Sequence, residues 1–350
     1  MYTARAATYY VANSGDDIRP PATARNIATP WQTIAFAISQ SVDGDIIVVA
    51  PGSYPENLSI TKSITLTGGG VSKPVLLGGT GGGNAVISVS APNVTVNGFV
   101  IEVDQANNLY GIISNSTNID GLRITSNTIL STAVSGNPLC LQFPTMGIFL
   151  QGIGTSSYTI SRNIVYPKNP ATTCVFGRSV RVVGGRGTIG GPTLADSNLF
   201  GSYYSVQLAG PAGPVTISNN HMFGIGVHIV DPLANSGTHN VTNNRLEPGS
   251  PRFVPQLIEV RGVTSSNSAV NITGNTLSNY NYIGVLSARS NNVTVANNSF
   301  TPRDTSSFTH IMVNSKQETA GSAASQTAFT NGIVVTGNTF RSAPSYPNTG

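Results

Sequence analysis

The stretch AVNITGNTLSNY (269–280) is written again as NVTVANNSF (292–300) and IVVTGNTF (333–340). A short motif recurring along a chain marks a repeat array, in which each copy is one structural unit. Aligned on its asparagine, the motif gives Asn127, Asn163, Asn198, Asn220, Asn244, Asn275, Asn298 and Asn338, at intervals of 36, 35, 22, 24, 31, 23 and 40 residues. The longer intervals read as the shortest one plus an insertion. VTVNGFVI (94–101) fits as an earlier copy with Phe99 in the asparagine place. A second β pattern follows each copy: GIFLQ (147–151), SVRVV (179–183), SVQLA (205–209), GVHIV (226–230), LIEVR (257–261) and HIMVN (310–314). Two or three short strands per unit, with no helical period, exclude helical repeats. At about 3.3 Å per residue, about 22 residues with three corners close one coil, and coils stack in parallel about 4.8 Å apart. The expected fold is all-β: a single-stranded right-handed parallel β-helix of about ten coils, its hand set by the crossover preference.

In this register Val270 and Ile272 point into the bore, Asn271 and Thr273 point out, and Gly274-Asn275 turns the corner. Asparagine tolerates left-handed φ, and its amide bonds backbone at a bend. The eight aligned asparagines are therefore expected to stack as an internal amide ladder, with a structural role. The N-x-S/T sequons at Asn93, Asn240, Asn271 and Asn292 follow from the same preferences, since corners favour Asn and strands favour Thr.

Charged residues make up only 9% of the 350, with 18 Lys+Arg against 14 Asp+Glu, where about 25% is usual. A surface of hydroxyls and amides suits a secreted or cell-surface β protein. The net charge of +4 is scattered without a Lys/Arg run, which argues against a nucleic-acid partner. No stretch reaches the ~18–20 apolar residues of a membrane span. Met1 precedes YTARAAT, which has no apolar leader segment, so a mature form is expected.

TPWQTIAFAISQSVDGD (29–45) reads as an N-terminal helical cap that begins at Thr29 or Pro30 and lines one face with Trp31, Ile34, Ala35 and Ile38. Open solenoid ends need such covers. YYVANSGDD (9–17), TPWQTI (29–34), GDIIVVAPGSYPENLSI (44–60) and KSITLTG (62–68) resemble the start of pectin-lyase-like β-helix proteins. That superfamily includes polysaccharide lyases, hydrolases and epimerases, and also surface proteins with no known activity. The resemblance is specific over residues 9–70 and thereafter rests on the repeat alone. The expected organisation is one domain: strand and capping helix over 1–45, coils over 46–340, a tail over 341–350. The tail either folds back over the last coil or joins a longer chain or assembly.

Cys140 and Cys174 each follow an Asn-Pro in long insertions one coil apart. Equivalent loops on neighbouring coils would place them side by side, so a disulfide is expected, with two separate buried thiols as the alternative. A disulfide implies an oxidising, extracellular location.

Alternation places Phe149, Arg181, Gln207, His228 and Glu259 outward on one face, followed by Gly284 or Leu286 and then Met312. Arg261 joins two residues further along. Stacked about 5 Å apart, these residues offer an acid or base in Glu259, a proton acceptor in His228, and cations in Arg181 and Arg261 for a sugar carboxylate or an enolate. Asp231 is the one candidate partner for a paired-carboxylate site with Glu259. Phe149, Tyr203, Tyr204, Tyr280 and Tyr282 lie at loop–strand junctions, as sugar-stacking rings or as packing under the loops at 131–147 and 165–178. Catalysis, non-catalytic sugar contact and a plain cross-strand polar ladder all remain open readings of the row. Lyases of the superfamily often use a calcium cluster of acids; no such cluster is visible, and no metal or cofactor is expected. The function expected first is a polysaccharide-binding or structural, adhesive surface rod. A polysaccharide lyase or glycoside hydrolase is the alternative.

Overall fold

The computed structural model describes residues 6–79, 84–104, 108–132, 145–169, 176–233, 235–248, 256–303, 308–314 and 332–342. Its residues cluster into two compact units, Met1–Arg181 and Val182–Gly350. Both are built as right-handed parallel β-helix.

In each unit a coil runs through three strand segments. In the second unit the first segment is the parallel ladder Arg186–Gly190, Val215–Ser218, Gly237–Thr242, Ser268–Thr273, Val293–Ala296 and Val334–Thr336. A corner leads to the second segment, such as Arg245–Glu247, Thr276–Tyr280 and Ser299–Pro302, and then to the third, Gln256–Arg261, Ile283–Ala288 and Thr309–Asn314. Strands Leu199–Ala209 and His221–Val230 carry both later segments in one run. The first unit repeats the scheme, with Thr65–Gly68, Thr95–Asn97, Leu122–Thr125 and Ser157–Ser161 paired in its first segment.

The bore is filled by in-register aliphatic columns. Ile217, Val241, Ile272 and Val295 form one, and all four are fully buried. Each buried branched side chain contributes about 1.5–3 kcal/mol. The shared register holds because a one-residue slip would turn every column outward.

The corner divides between two residues what the sequence reading gives to one. The residue before the ladder position takes the left-handed conformation at Gly98 (φ 79°), Ser126 (58°), Arg162 (59°), Asn219 (58°), Asn243 (55°), Gly274 (67°), Asn297 (56°) and Gly337 (62°), whereas Ser197, before Asn198 and at the end of a 3-10 turn, keeps φ −57°. The Asn after it keeps ordinary backbone and points its amide inward. That is why Asn-Asn doublets recur: the first tolerates positive φ, the second bonds. At Gly274 a Cβ would sit 2.4 Å from Asn243 Oδ1, so glycine is needed there for space as well as for φ.

The inward amides form continuous chains. Asn275 donates from Nδ2 to Asn298 Oδ1 (3.0 Å) and Val241 O (2.8 Å), and its backbone N donates to the same Asn298 Oδ1 (2.9 Å). The pattern runs through Asn198, Asn220, Asn244, Asn275, Asn298 and Asn338 in the second unit. Asn127 and Asn163 repeat it in the first. There the Phe99 N–H donates to Asn127 Oδ1 (3.1 Å), so an apolar residue starts the chain.

The helical cap is shorter than the sequence suggests. It spans Ile34–Gln40 with Thr33 as N-cap, not Thr29 or Pro30, and it buries Ile34, Ala37 and Ile38 while Ala35 faces solvent. The start is fixed from a distance. Glu56 accepts from the Ile34 and Ala35 N–H groups (3.0 and 2.8 Å), and Asp17 accepts from Gln32 N and Thr33 N. At the other end Lys62 Nζ donates to the carbonyls of Ile38, Ser39 and Ser41. Acids at the N-terminus and a lysine at the C-terminus match the helix dipole. Trp31 lies outside the helix, fully buried and stacked on Tyr9.

Candidate functional site

The third-segment face of the second unit brings the predicted row into register. Gln207 pairs with His228, His228 with Glu259, Glu259 with Leu286, and Leu286 with Met312. The row therefore continues through Leu286, and Gly284 is not part of it. Inward neighbours Val206, Val227, Ile258 and Val260 are buried in the bore, which fixes the side on which the row stands.

Glu259 is not a solvated surface carboxylate as the sequence reading has it. It is only 2% exposed. Arg261 Nε donates to Oε1, Gln256 Nε2 donates to Oε2, and His228 Nε2 faces Oε2 at 3.4 Å. Gln207 Nε2 lies 3.1 Å from His228 Nδ1. With that amide donating to Nδ1, a neutral imidazole carries its proton on Nε2, toward the carboxylate. Tyr204 stacks on His228 with centroids 5.5 Å apart and planes 20° apart, and Tyr203 packs edge-on to Tyr204. Arg261 remains 36% exposed and forms the open edge of the cluster. Gln207 is buried as well.

Asp231 does not join these groups. It is exposed, with φ 43°, and its backbone N donates to Arg261 O (2.9 Å). Its Oδ1 occupies the space that a Cβ on Gly262 would need. The carboxylate thus packs on Gly262 and not among the groups that hold Glu259.

In the first unit Phe149 is buried and not an exposed ring. It packs against Tyr110 at 5.4 Å and lies under the Arg181 guanidinium at 5.4 Å. Cys140 and Cys174, with residues 133–144 and 170–175 of the loops at 131–147 and 165–178, lie outside the described residues. Among the described residues no group of three or more His, Cys, Asp or Glu is placed to hold a metal ion, and no helix is long and apolar enough to cross a membrane.

Four features escape a sequence reading. Gln256 sits three residues before Glu259, an offset that alternation assigns to the opposite face. His221, Glu247 and Arg245 form a second cluster on the second-segment face, with His221 Nε2 2.6 Å and Arg245 Nε 3.3 Å from Glu247 Oε1. His239 stands in the bore in register with Val270, where an aliphatic residue belongs. Its Nε2 contacts Ser236 Oγ (2.9 Å), which meets Ser268 Oγ (3.0 Å), which donates to Leu233 O (3.1 Å). Its Nδ1 is buried without a partner, and burial lowers its pKa to about 4. Near the last coil the buried Tyr280 hydroxyl meets His310 Nδ1. Burial raises the tyrosine pKa and lowers that of the histidine, so the tyrosine keeps its proton as donor.

No family model matches the chain. A cell surface glycoprotein of Methanothermus fervidus is 35% identical over 96 residues, which are 27% of this chain and 15% of that protein. The match thus spans less than a sixth of the glycoprotein's length. The GH136 lacto-N-biosidase from Eubacterium ramulus superposes with a TM-score of 0.55 at 8% identity, covering 95% of this chain and 67% of that one. A pectate lyase gives a TM-score of 0.49 at 13% identity, covering 99% and 80%. At such identities the likeness is one of fold.

Proposed function

With its pectin-lyase-like β-helix fold as the premise, we propose that the Tyr204–His228–Glu259–Arg261 face is a glycan-recognition surface on an extracellular or cell-surface protein, and that it binds without cleaving. The observation that carries this reading is the state of Glu259. Both carboxylate oxygens are engaged, by Gln256 and Arg261, and His228 has Glu259 on one side and Gln207 on the other. A general acid or base needs a lone pair or proton within reach of substrate, and here the proton-carrying groups face one another. The outer parts of the cluster, the Tyr204 ring and the exposed edge of Arg261, suit a sugar's C–H face and hydroxyls. The partial match to a cell surface glycoprotein supports the location.

Cleavage is the second reading. The facing His228 and Glu259, and the fold shared with a lacto-N-biosidase, favour it. One screen separates the two. The protein is tested against immobilised neutral and acidic glycans, with released reducing ends and unsaturated products followed in the same wells. Binding without product, abolished by Tyr204→Ala, is expected. Product formation lost in Glu259→Gln would establish the enzyme instead, and no binding to any glycan would end both readings.

A further inference from the structure

The chain carries seven N-x-S/T sequons, at Asn57, Asn93, Asn115, Asn240, Asn271, Asn292 and Asn297. Corner and strand preferences account for such triplets in a β-helix, but the fold does not treat the seven alike. Four have their amides in use. Asn57 Nδ2 donates to Gly79 O (3.3 Å), and its Oδ1 accepts from Gly79 N (2.8 Å). Asn271 Nδ2 donates to Asn240 Oδ1 (3.1 Å), which ties two sequons together. Asn292 Nδ2 donates to the carbonyls of Ser266 and Ser268, both at 3.3 Å. All four residues are half-buried.

Asn93, Asn115 and Asn297 are exposed, and among the described residues their amide nitrogens meet no acceptor. In each of these sequons the middle residue is anchored. Val94 and Asn298 are buried, and Ser116 Oγ donates to Ser90 O (3.4 Å). With the middle residue held to the body of the coil, the Asn and the hydroxyl two residues on stand on its outer side. Oδ1 of Asn93 and of Asn297 occupies the space that a Cβ would need on Gly121 and Gly337 of the next coil. The oxygen is thus turned into the stack and the nitrogen away from it. Positive φ explains an Asn at 93 (52°) and 297 (56°). Asn115 has ordinary φ, so neither backbone nor hydrogen bond calls for an Asn there.

We propose that Asn93, Asn115 and Asn297 are N-glycan acceptors and that the other four sequons stay unmodified. The donor is an oligosaccharide carried on a polyprenyl phosphate. Nδ2 bonds to the anomeric carbon, the bond from that carbon to the carrier's phosphate oxygen breaks, the carrier leaves with that oxygen, and the amide gives up one proton. A modified Asn keeps its carbonyl and one N–H, so the packing of Oδ1 on Gly121 and Gly337 survives. At Asn292, where the nitrogen serves two carbonyls, the same change would break a bond within the stack. Attached sugar is bulky and solubilising, which suits a surface drawn from a chain with only 9% charged residues. The proposal rests on the extracellular placement above and not on ligand binding, since the sugar here is carried by the chain itself.

The test is intact-glycopeptide mass spectrometry on the full chain recovered from its own host, with the cell-surface and interior fractions kept apart. Peptides holding Asn93, Asn115 and Asn297 are expected to carry added sugar mass on the Asn, and those holding Asn57, Asn240, Asn271 and Asn292 to carry none. Three variants assign the sites without disturbing the turns. Thr95→Val, Thr117→Val and Ser299→Ala each remove a sequon hydroxyl and keep the Asn, so each should lose the sugar at its own Asn and at no other. Unmodified Asn93, Asn115 and Asn297 in surface protein overturn the proposal and leave the extracellular placement standing. Occupancy at Asn57 or Asn292 equal to that at Asn93 overturns the sorting by amide engagement. Sugar mass that persists on Asn93 in Thr95→Val would make it something other than sequon glycosylation. Protein confined to the cell interior would remove the extracellular placement and this proposal together.

Discussion

Two ladders run along the second unit, and they differ in what each coil contributes. The corner ladder presents the same residue six times, Asn198 to Asn338, with the same donors and acceptors at each step. The outer row presents Gln207, His228, Glu259, Leu286 and Met312 in equally strict register. Stacking geometry is common to both, but only the corner repeats its chemistry. A position that must satisfy the same backbone groups in every coil keeps one residue type. A position that faces outward is free to differ from coil to coil, and a ligand can read that difference. Stability falls to the first ladder, and the proposed function places recognition on the second.

The largest effect should come from the repeating ladder. Asn275→Ala removes the acceptor of Asn244 N and Nδ2 and leaves Val241 O without its donor. Several buried groups lose partners at about 1–3 kcal/mol each, so a total of about 3–5 kcal/mol is expected in denaturant melts. A loss below about 1 kcal/mol would break the comparison at its structural end.

Next comes His239, a residue that belongs to neither ladder and sits in an aliphatic column. Its folded pKa of about 4 lies below the ordinary 6.5. As pH falls through 6.5 the unfolded chain takes up the proton first, so stability present above that pH is lost progressively toward pH 4. The fully buried ring makes this roughly 2–4 kcal/mol, at about 1.4 kcal/mol per pKa unit. His239→Val, which completes the column with Val270, should flatten the pH profile over that window. An unchanged slope would show that the acid sensitivity arises elsewhere.

Glu259→Gln is expected to cost about 1–3 kcal/mol, because it leaves Arg261 without its counter-charge in a buried network. A loss as large as that of Asn275→Ala would make the outer row a second structural ladder. Met312→Ala should cost least, about 0.5 kcal/mol or less, since Met312 is 36% exposed at the apolar end of the row.

The parts of this molecule that repeat were legible from the chain, and those that depend on one distant contact were not. Alternation around Ile258 and Val260 tells on which side Glu259 stands. It says nothing of Gln256 or Arg261 closing over the carboxylate, so burial was misjudged. The corner was readable as Asn plus Gly, while the division of labour between Asn243 and Asn244 needed backbone angles. The helix start moved to Thr33 because Asp17 and Glu56, far apart in the chain, both cap it. His239 hides for the opposite reason: a polar residue in an inward position is not distinguishable by pattern from a slipped register.

The central claim is that the corner holds the fold and the row reads the ligand. One series of binding isotherms tests it, on the tightest glycan from the screen, well below the melting temperature of every variant. Arg261→Ala should lose at least about tenfold in affinity, as expected for a charge-assisted hydrogen bond, and Asn275→Ala should bind as the parent does. Full affinity in Arg261→Ala, or its loss in a folded Asn275→Ala, would contradict the account.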